Sequence, residues 1–116
     1  MPIQVKRVYE PAEADDGVRV LVDRLWPRGL SKEKARVDEW LKELGPSTAL
    51  RKWFNHDPGR WDEFRTRYRA ELASPEQRQR LDHLRALARQ KTVSVLYGAR
   101  DSEHNEAVVI AEEVTR

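Results

Sequence analysis

The stretch Val18-Arg19-Val20-Leu21-Val22-Asp23-Arg24-Leu25-Trp26-Pro27-Arg28-Gly29 opens as a strand and closes as a loop. Val18, Val20, Leu21 and Val22 form a β-branched and aliphatic run, the composition of a strand covered on both faces. Pro27 has no backbone donor and Gly29 tolerates unusual dihedrals, so pairing cannot continue through them. Asp23, Arg24, Trp26 and Arg28 therefore fall just beyond a central strand. Open α/β sheets keep their ligand sites at that end of their strands.

Working outward, Ile3, Val5 and Val8 alternate loosely with Gln4, Lys6 and Arg7, which predicts a strand near a sheet edge. The loop Glu10–Gly17 carries an acidic cluster that reads as solvated surface. Ser31 is an N-cap for a short helix over Lys32–Arg36. Val37, Trp40, Leu41 and Leu44 fit a helical stripe, and a strand around Trp40–Leu44 is the alternative; Gly45-Pro46 ends either one. Ser47 caps a helix carrying Leu50, Trp53 and Phe54. Asp57-Pro58 is a cap followed by proline at the first helical position. Trp61, Phe64, Tyr68 and Leu72 recur at three- and four-residue steps, one face of a helix. Ser74-Pro75-Glu76-Gln77 starts the next helix, with Leu81, Leu84, Leu87 and Ala88 as its buried stripe. Thr92–Tyr97 is a compact strand. Asp101 or Ser102 caps a last helix facing inward through Ala107, Ile110, Ala111 and Val114. Strands separated by helices predict a single α/β domain over residues 1–116, with a small, at least partly parallel sheet of three or four strands.

Composition narrows the chemistry. Charged residues make up 36% of the 116, yet 22 Lys and Arg against 20 Asp and Glu leave a formal net charge of +2. So small a charge gives no general attraction to nucleic acid or acidic lipid. There is no cysteine, which removes disulfides, thiolate nucleophiles and sulfur-bound metals. No apolar run approaches the ~20 residues that span a bilayer. The N-terminal segment lacks the apolar core of a signal peptide, so a cytoplasmic protein is expected. The three histidines lack zinc-ligand spacing, and no metal or cofactor motif is present.

Val5–Tyr9, Arg19–Lys32, Pro46-Ser47, Leu50–Phe54, His56–Pro58, Leu96-Tyr97, Ala99–Asp101 and His104-Asn105 resemble the YeaO-like proteins, part of the DUF488 group of domains of unknown function. The resemblance spans nearly the whole chain and implies a compact α/β domain without an established activity. Longer members of the group have a Cys-His pair after the last strand. Here that neighbourhood reads Tyr97-Gly98-Ala99-Arg100, so cysteine chemistry does not carry over.

Two constellations bear chemistry. In the first, Arg24 and Arg28 grip a phosphate or carboxylate with Asp23 orienting one of them, or the three form an internal ion pair that locks the loop. Trp26 stacks on a base or sugar or, the favoured reading, plugs the core. In the second, Arg100 and Asn105 meet an anion at a helix start and His104 exchanges protons, or Asp101 or Ser102 simply caps the helix and His104 and Asn105 are exposed in its first turn. If the two strands are parallel neighbours, both loops share one anion-friendly cleft, with Asp23 and His104 as proton carriers and His56 as a lining residue. His56-Asp57 as a catalytic dyad is the weaker reading, because a capping role already explains Asp57. The expected partner is a small anionic ligand. Eight arginines between Arg60 and Arg89 raise the alternative of a nucleic-acid surface, but interleaved Asp and Glu favour a solvated mixed-charge face. A third reading is a protein interaction module that docks through its tryptophans.

Overall fold

A sheet whose strands are all parallel must be covered on both faces, and the burial pattern of this chain follows that rule. The computed structural model describes residues 2–116, so Met1 of the expected 1–116 domain lies outside the described residues. Strands β1 (Ile3–Arg7), β2 (Val18–Leu21), β3 (Glu39–Trp40) and β4 (Val93–Tyr97) form one parallel sheet in the order β1-β4-β2-β3. All five residues of β4 are buried, as expected of a strand with neighbours on both sides. The edge position expected for β1 is observed.

Period-two alternation sends Val20, Val22, Val93, Val95 and Tyr97 to one face. There they meet Phe54 of α2 (Thr48–Phe54), Phe64 and Tyr68 of α3 (Trp61–Glu71), Leu81 and Leu84 of α4 (Pro75–Gln90) and Ile110 of α5 (Glu106–Thr115). Leu21 and Leu96 point the other way, into a smaller cluster with Val8 and Ala35, which half-buried Trp26, Leu30, Val37 and Trp40 close over. Among the described residues the α-helix of that second face is the single turn α1 (Lys32–Ala35), capped by Ser31.

The same face carries a buried polar layer that the sequence did not announce. Arg19, 3% exposed, places Nη1 2.6 Å from Asp16 and donates through Nε and Nη2 to the Ala35 carbonyl. Asp16 also accepts from Lys6 at 3.0 Å. Asp16 departs from the solvated surface that the acidic cluster predicts, because it sits in a 3-10 turn over Ala14–Asp16 that turns its carboxylate toward two cations.

The stretch Val37–Leu44 combines pieces of both expectations. Glu39 and Trp40 pair with Val20 and Leu21, and Lys42–Leu44 is a 3-10 turn rather than strand. Ser47, Asp57 and Ser74 accept hydrogen bonds from the backbone of the turns they precede, as their types predict. The last helix is capped by Asn105 through Val108 N–H, not by Asp101 or Ser102. Asp101 instead folds its own loop by accepting from the Glu103 and His104 amides, and the helix starts only after that turn. Among the described residues no helix is long and apolar enough to cross a membrane.

Candidate functional site

Because β2 and β4 run parallel side by side, from Val18 beside Val93 to Leu21 beside Leu96, the chain leaves both strands at the same edge of the sheet. The two departing loops are tied together there. The Gly98 amide donates to Asp23 Oδ2 at 2.9 Å, across 75 positions of sequence. A cleft of about 280 Å³ opens at this junction, lined by Asp23, Arg24 and Trp26 from the first loop and by Gly98, Ala99 and His104 from the second. Arg51, Phe54 and His56 close it from α2 and the turn after it, and Tyr9 from the segment after β1.

Gly98 permits the tie. A Cβ built there would stand 2.8 Å from Asp23 Oδ2, closer than side-chain atoms approach. Gly45 does the same for the next residue, since a Cβ there would stand 2.8 Å from Arg24 Cγ and 3.0 Å from the Val22 carbonyl oxygen. Gly98→Ala is therefore expected to push the Asp23 carboxyl off the Gly98 amide and to cost about 1–3 kcal/mol. Urea unfolding measures the loss; an unchanged midpoint would mean that the two loops do not meet as described.

Asp23 is the electrostatic centre of the cleft. Burial pushes its carboxyl up to about 6, against the opposing pull of the Gly98 hydrogen bond and the Arg51 charge. Its other oxygen, Oδ1, is buried without a hydrogen-bond partner. His104, half-buried, holds its Nδ1 2.8 Å from Asp101 Oδ2 and lies edge-on to Trp61 at 5.2 Å. The amide of Glu103, with help from His104, holds the Asp101 carboxyl below the usual carboxylate range. An imidazole oriented this way through one nitrogen is left with Nε2 for other partners.

Two guanidiniums stand in the cleft wall. Arg24 donates Nε to the Pro46 carbonyl at 2.6 Å, which fixes the side chain, and Arg24 makes no ion pair among the described residues. Arg51 lines the cleft and likewise has no carboxylate partner among them. Trp26 has a foot in both readings offered for it. Its Nε1 donates to the Leu30 carbonyl and its ring meets Trp40 edge-on at 5.4 Å, so it packs the smaller core while one side lines the cleft. His56 follows Asn55 through two consecutive left-handed residues, with φ of 47° and 54°. That backbone is uncommon for side chains of this size and turns the chain back toward the cleft. Asp57 caps the following turn through the Gly59 amide, in keeping with the capping role.

The remaining sequence candidates lie elsewhere. Arg28 and Arg100 are exposed and stand outside the cleft lining; what Arg28 contributes is its carbonyl, which accepts from the Tyr9 hydroxyl at 2.8 Å. Asn105 is buried, its amide occupied by the Asp101 carbonyl and its oxygen by Val108 N–H. Sequence reasoning missed Arg51 and Tyr9. Neither carries a motif, and nothing in Leu50-Arg51-Lys52-Trp53 says which of the two adjacent cations faces the sheet edge. Among the described residues no group of three or more His, Asp or Glu is placed to hold a metal ion.

Comparison with known proteins places this geometry in a family. A family model described as "Inactive DUF488-N3 subclade" matches residues 2–116. The uncharacterized protein YeaO of Escherichia coli is 47% identical over 112 residues, covering 97% of this chain and 96% of that protein. The uncharacterized proteins Mb3100c of Mycobacterium bovis and Rv3073c of Mycobacterium tuberculosis are each 42% identical over 110 residues, 95% of this chain and 91% of theirs. No solved structure matches the chain. With a family model spanning nearly every residue and full-length relatives of this identity, the chain belongs to the YeaO-like proteins of the DUF488 group.

Proposed function

We propose that this protein binds a small anionic ligand, carrying a phosphate or carboxylate, in the cleft between the loops that follow β2 and β4. The observation that carries the reading is the pair Arg24 and Arg51, two guanidiniums, neither of them in an ion pair among the described residues, in the wall of one cleft that also holds Asp23 and Glu106. Guanidiniums in that state favour forked hydrogen bonds to an oxyanion. Trp26 and His56 supply wall, and Asp23 and His104 are the groups positioned to give or take a proton. The word "inactive" in the family description, together with the absence of any thiol, favours retention of the ligand over its turnover. An enzymatic role would rest on Asp23 and His104 alone.

The arginine-bearing helices lend less support to a nucleic-acid surface. Arg65 and Arg69 are tied to Glu112, Arg67 to Glu63 and Arg85 to Asp82, so much of their charge is matched locally. Docking through tryptophans is weakly supported too, since Trp26 and Trp40 pack on the smaller core and Trp53 and Trp61 on the larger.

Calorimetric titration with inorganic phosphate tests the proposal. Arg24→Ala and Arg51→Ala are each expected to weaken binding about tenfold or more, the usual scale of a lost charge-assisted contact. Arg100→Ala is expected to leave it unchanged. Equal affinity in all four proteins, or no binding to the wild type at millimolar phosphate, would remove the assignment.

A further inference from the structure

The cleft holds more than a seat for an anion. Tyr9 and Leu25 are the exposed large hydrophobic side chains of the described residues, 37% and 63% exposed, and both line this same cleft. An inorganic oxyanion has no use for either. Tyr9 is also held as a platform. The Arg7 guanidinium sits 4.6 Å from the ring centroid, and the Tyr9 hydroxyl donates to the Arg28 carbonyl. Gly98, having no side chain, lets this ring and Asp23 come close together. The point where a Cβ would stand is 3.9 Å from Tyr9 Cε2 and 2.8 Å from Asp23 Oδ2. An aromatic ring, one face of it covered by Arg7, and a carboxyl thus adjoin across a backbone with no side chain of its own. The carboxyl has one oxygen committed to Gly98 and the other, Oδ1, unpartnered. Such a group lacks one hydrogen-bond donor.

Resting on the anion reading above, we infer that the ligand is a planar heteroaromatic anion, whose ring stacks on Tyr9 over Gly98 and turns an N–H toward Asp23 while its acidic group meets Arg24 and Arg51. The three subsites differ in chemistry, so one type of ligand satisfies all of them: a flat ring with a ring N–H, joined to a phosphate or carboxylate. A nucleoside monophosphate with a donor on its base has this make-up. The cleft, about 280 Å³, falls just below the usual range of ligand sites, about 300 to 1,000 Å³, and suits one such unit rather than a polymer.

The experiment uses the full chain and three probes: guanosine 5′-monophosphate, guanosine and inorganic phosphate, followed by calorimetry at pH 7.5. The monophosphate is expected to bind at least about tenfold more tightly than either fragment, because stacking and the donor contact add to the anion contact. Tyr9→Ala is expected to cut the monophosphate's affinity about tenfold while leaving phosphate binding unchanged, and Tyr9→Phe, which keeps the ring, to behave as wild type. Asp23→Asn puts an amide N–H where a donor should be accepted and is expected to weaken the monophosphate selectively. Phosphate binding as tightly as the monophosphate would overturn the ring seat and leave the anion reading standing. Monophosphate binding that ignores Tyr9→Ala would likewise overturn it. Failure of all three probes to bind would sink both readings together.

Discussion

Asp23→Asn is expected to stabilise the protein at pH 8 and to leave its stability nearly unchanged at pH 4. The carboxyl has a folded-state value of about 6 against 3.8 when unperturbed, because burial at the cleft disfavours its charge. At pH values well below 3.8 the group is protonated in both states and makes no difference. Between there and about 6 the unfolded chain gives up the proton while the folded chain keeps it, so stability falls as pH rises through that window. Above it the folded protein carries an ionised carboxylate with an unpartnered oxygen, at a cost of about 2–3 kcal/mol, lowered by the solvent that reaches this half-buried group. Asparagine keeps an oxygen for the Gly98 amide and cannot ionise, so it removes the pH-dependent part. Urea unfolding of both proteins at the two pH values gives the difference directly. A variant less stable than wild type at pH 8 would show that the folded protein favours the ionised carboxyl, and would overturn this prediction. Stability sacrificed at one cleft residue is also what a binding site produces, since a group kept ready for a ligand is poorly satisfied without it.

The second large effect lies on the opposite face of the sheet. Asp16→Ala is expected to cost about 3–5 kcal/mol, because it strands the guanidinium of Arg19 in a site where that residue is 3% exposed, and takes a partner from Lys6 as well. Removing one member of a buried pair costs more than the pair itself contributes, since the surviving charge can neither reach water nor find another anion. Asp15→Ala, one position away and exposed, is the matched control and should shift stability by no more than about 0.5 kcal/mol. Similar losses for the two variants would mean that the Asp16–Arg19 pair is not buried. The two predictions have opposite signs for one chemical reason. Asp16 is buried against cations, while Asp23 is buried at the rim of an open cleft with one amide and a more distant charge.

Much of the fold was legible in local pattern. Val18–Val22 and Thr92–Tyr97 announce central strands because only a strand covered on both faces tolerates such continuous apolar runs. The helices of the larger core announce themselves through Phe64, Tyr68, Leu81 and Leu84 at helical spacing, with Ser47, Asp57 and Ser74 at their entrances. What misled was short-range chemistry with two uses. Asp101 and Asn105 are both good helix caps, and the choice between them depends on how many residues the preceding loop needs. Asp16 looks like its acidic neighbours until Lys6 and Arg19 are brought beside it.

The site divides along the same line. The sequence by itself determined which residues are polar at the ends of the two central strands, and therefore that Asp23, Arg24, Trp26 and His104 were worth watching. It could not say that β4 inserts between β1 and β2, because strand order is a property of how the sheet is assembled rather than of any one strand. That insertion alone brings Gly98 to Asp23 and Tyr9 to Gly98. It also leaves Arg28 and Arg100 outside the cleft and recruits Arg51, whose place depends on the angle at which α2 meets the sheet. Periodicity records which face of an element is apolar, while the distance between side chains many positions apart is set only when those faces pack.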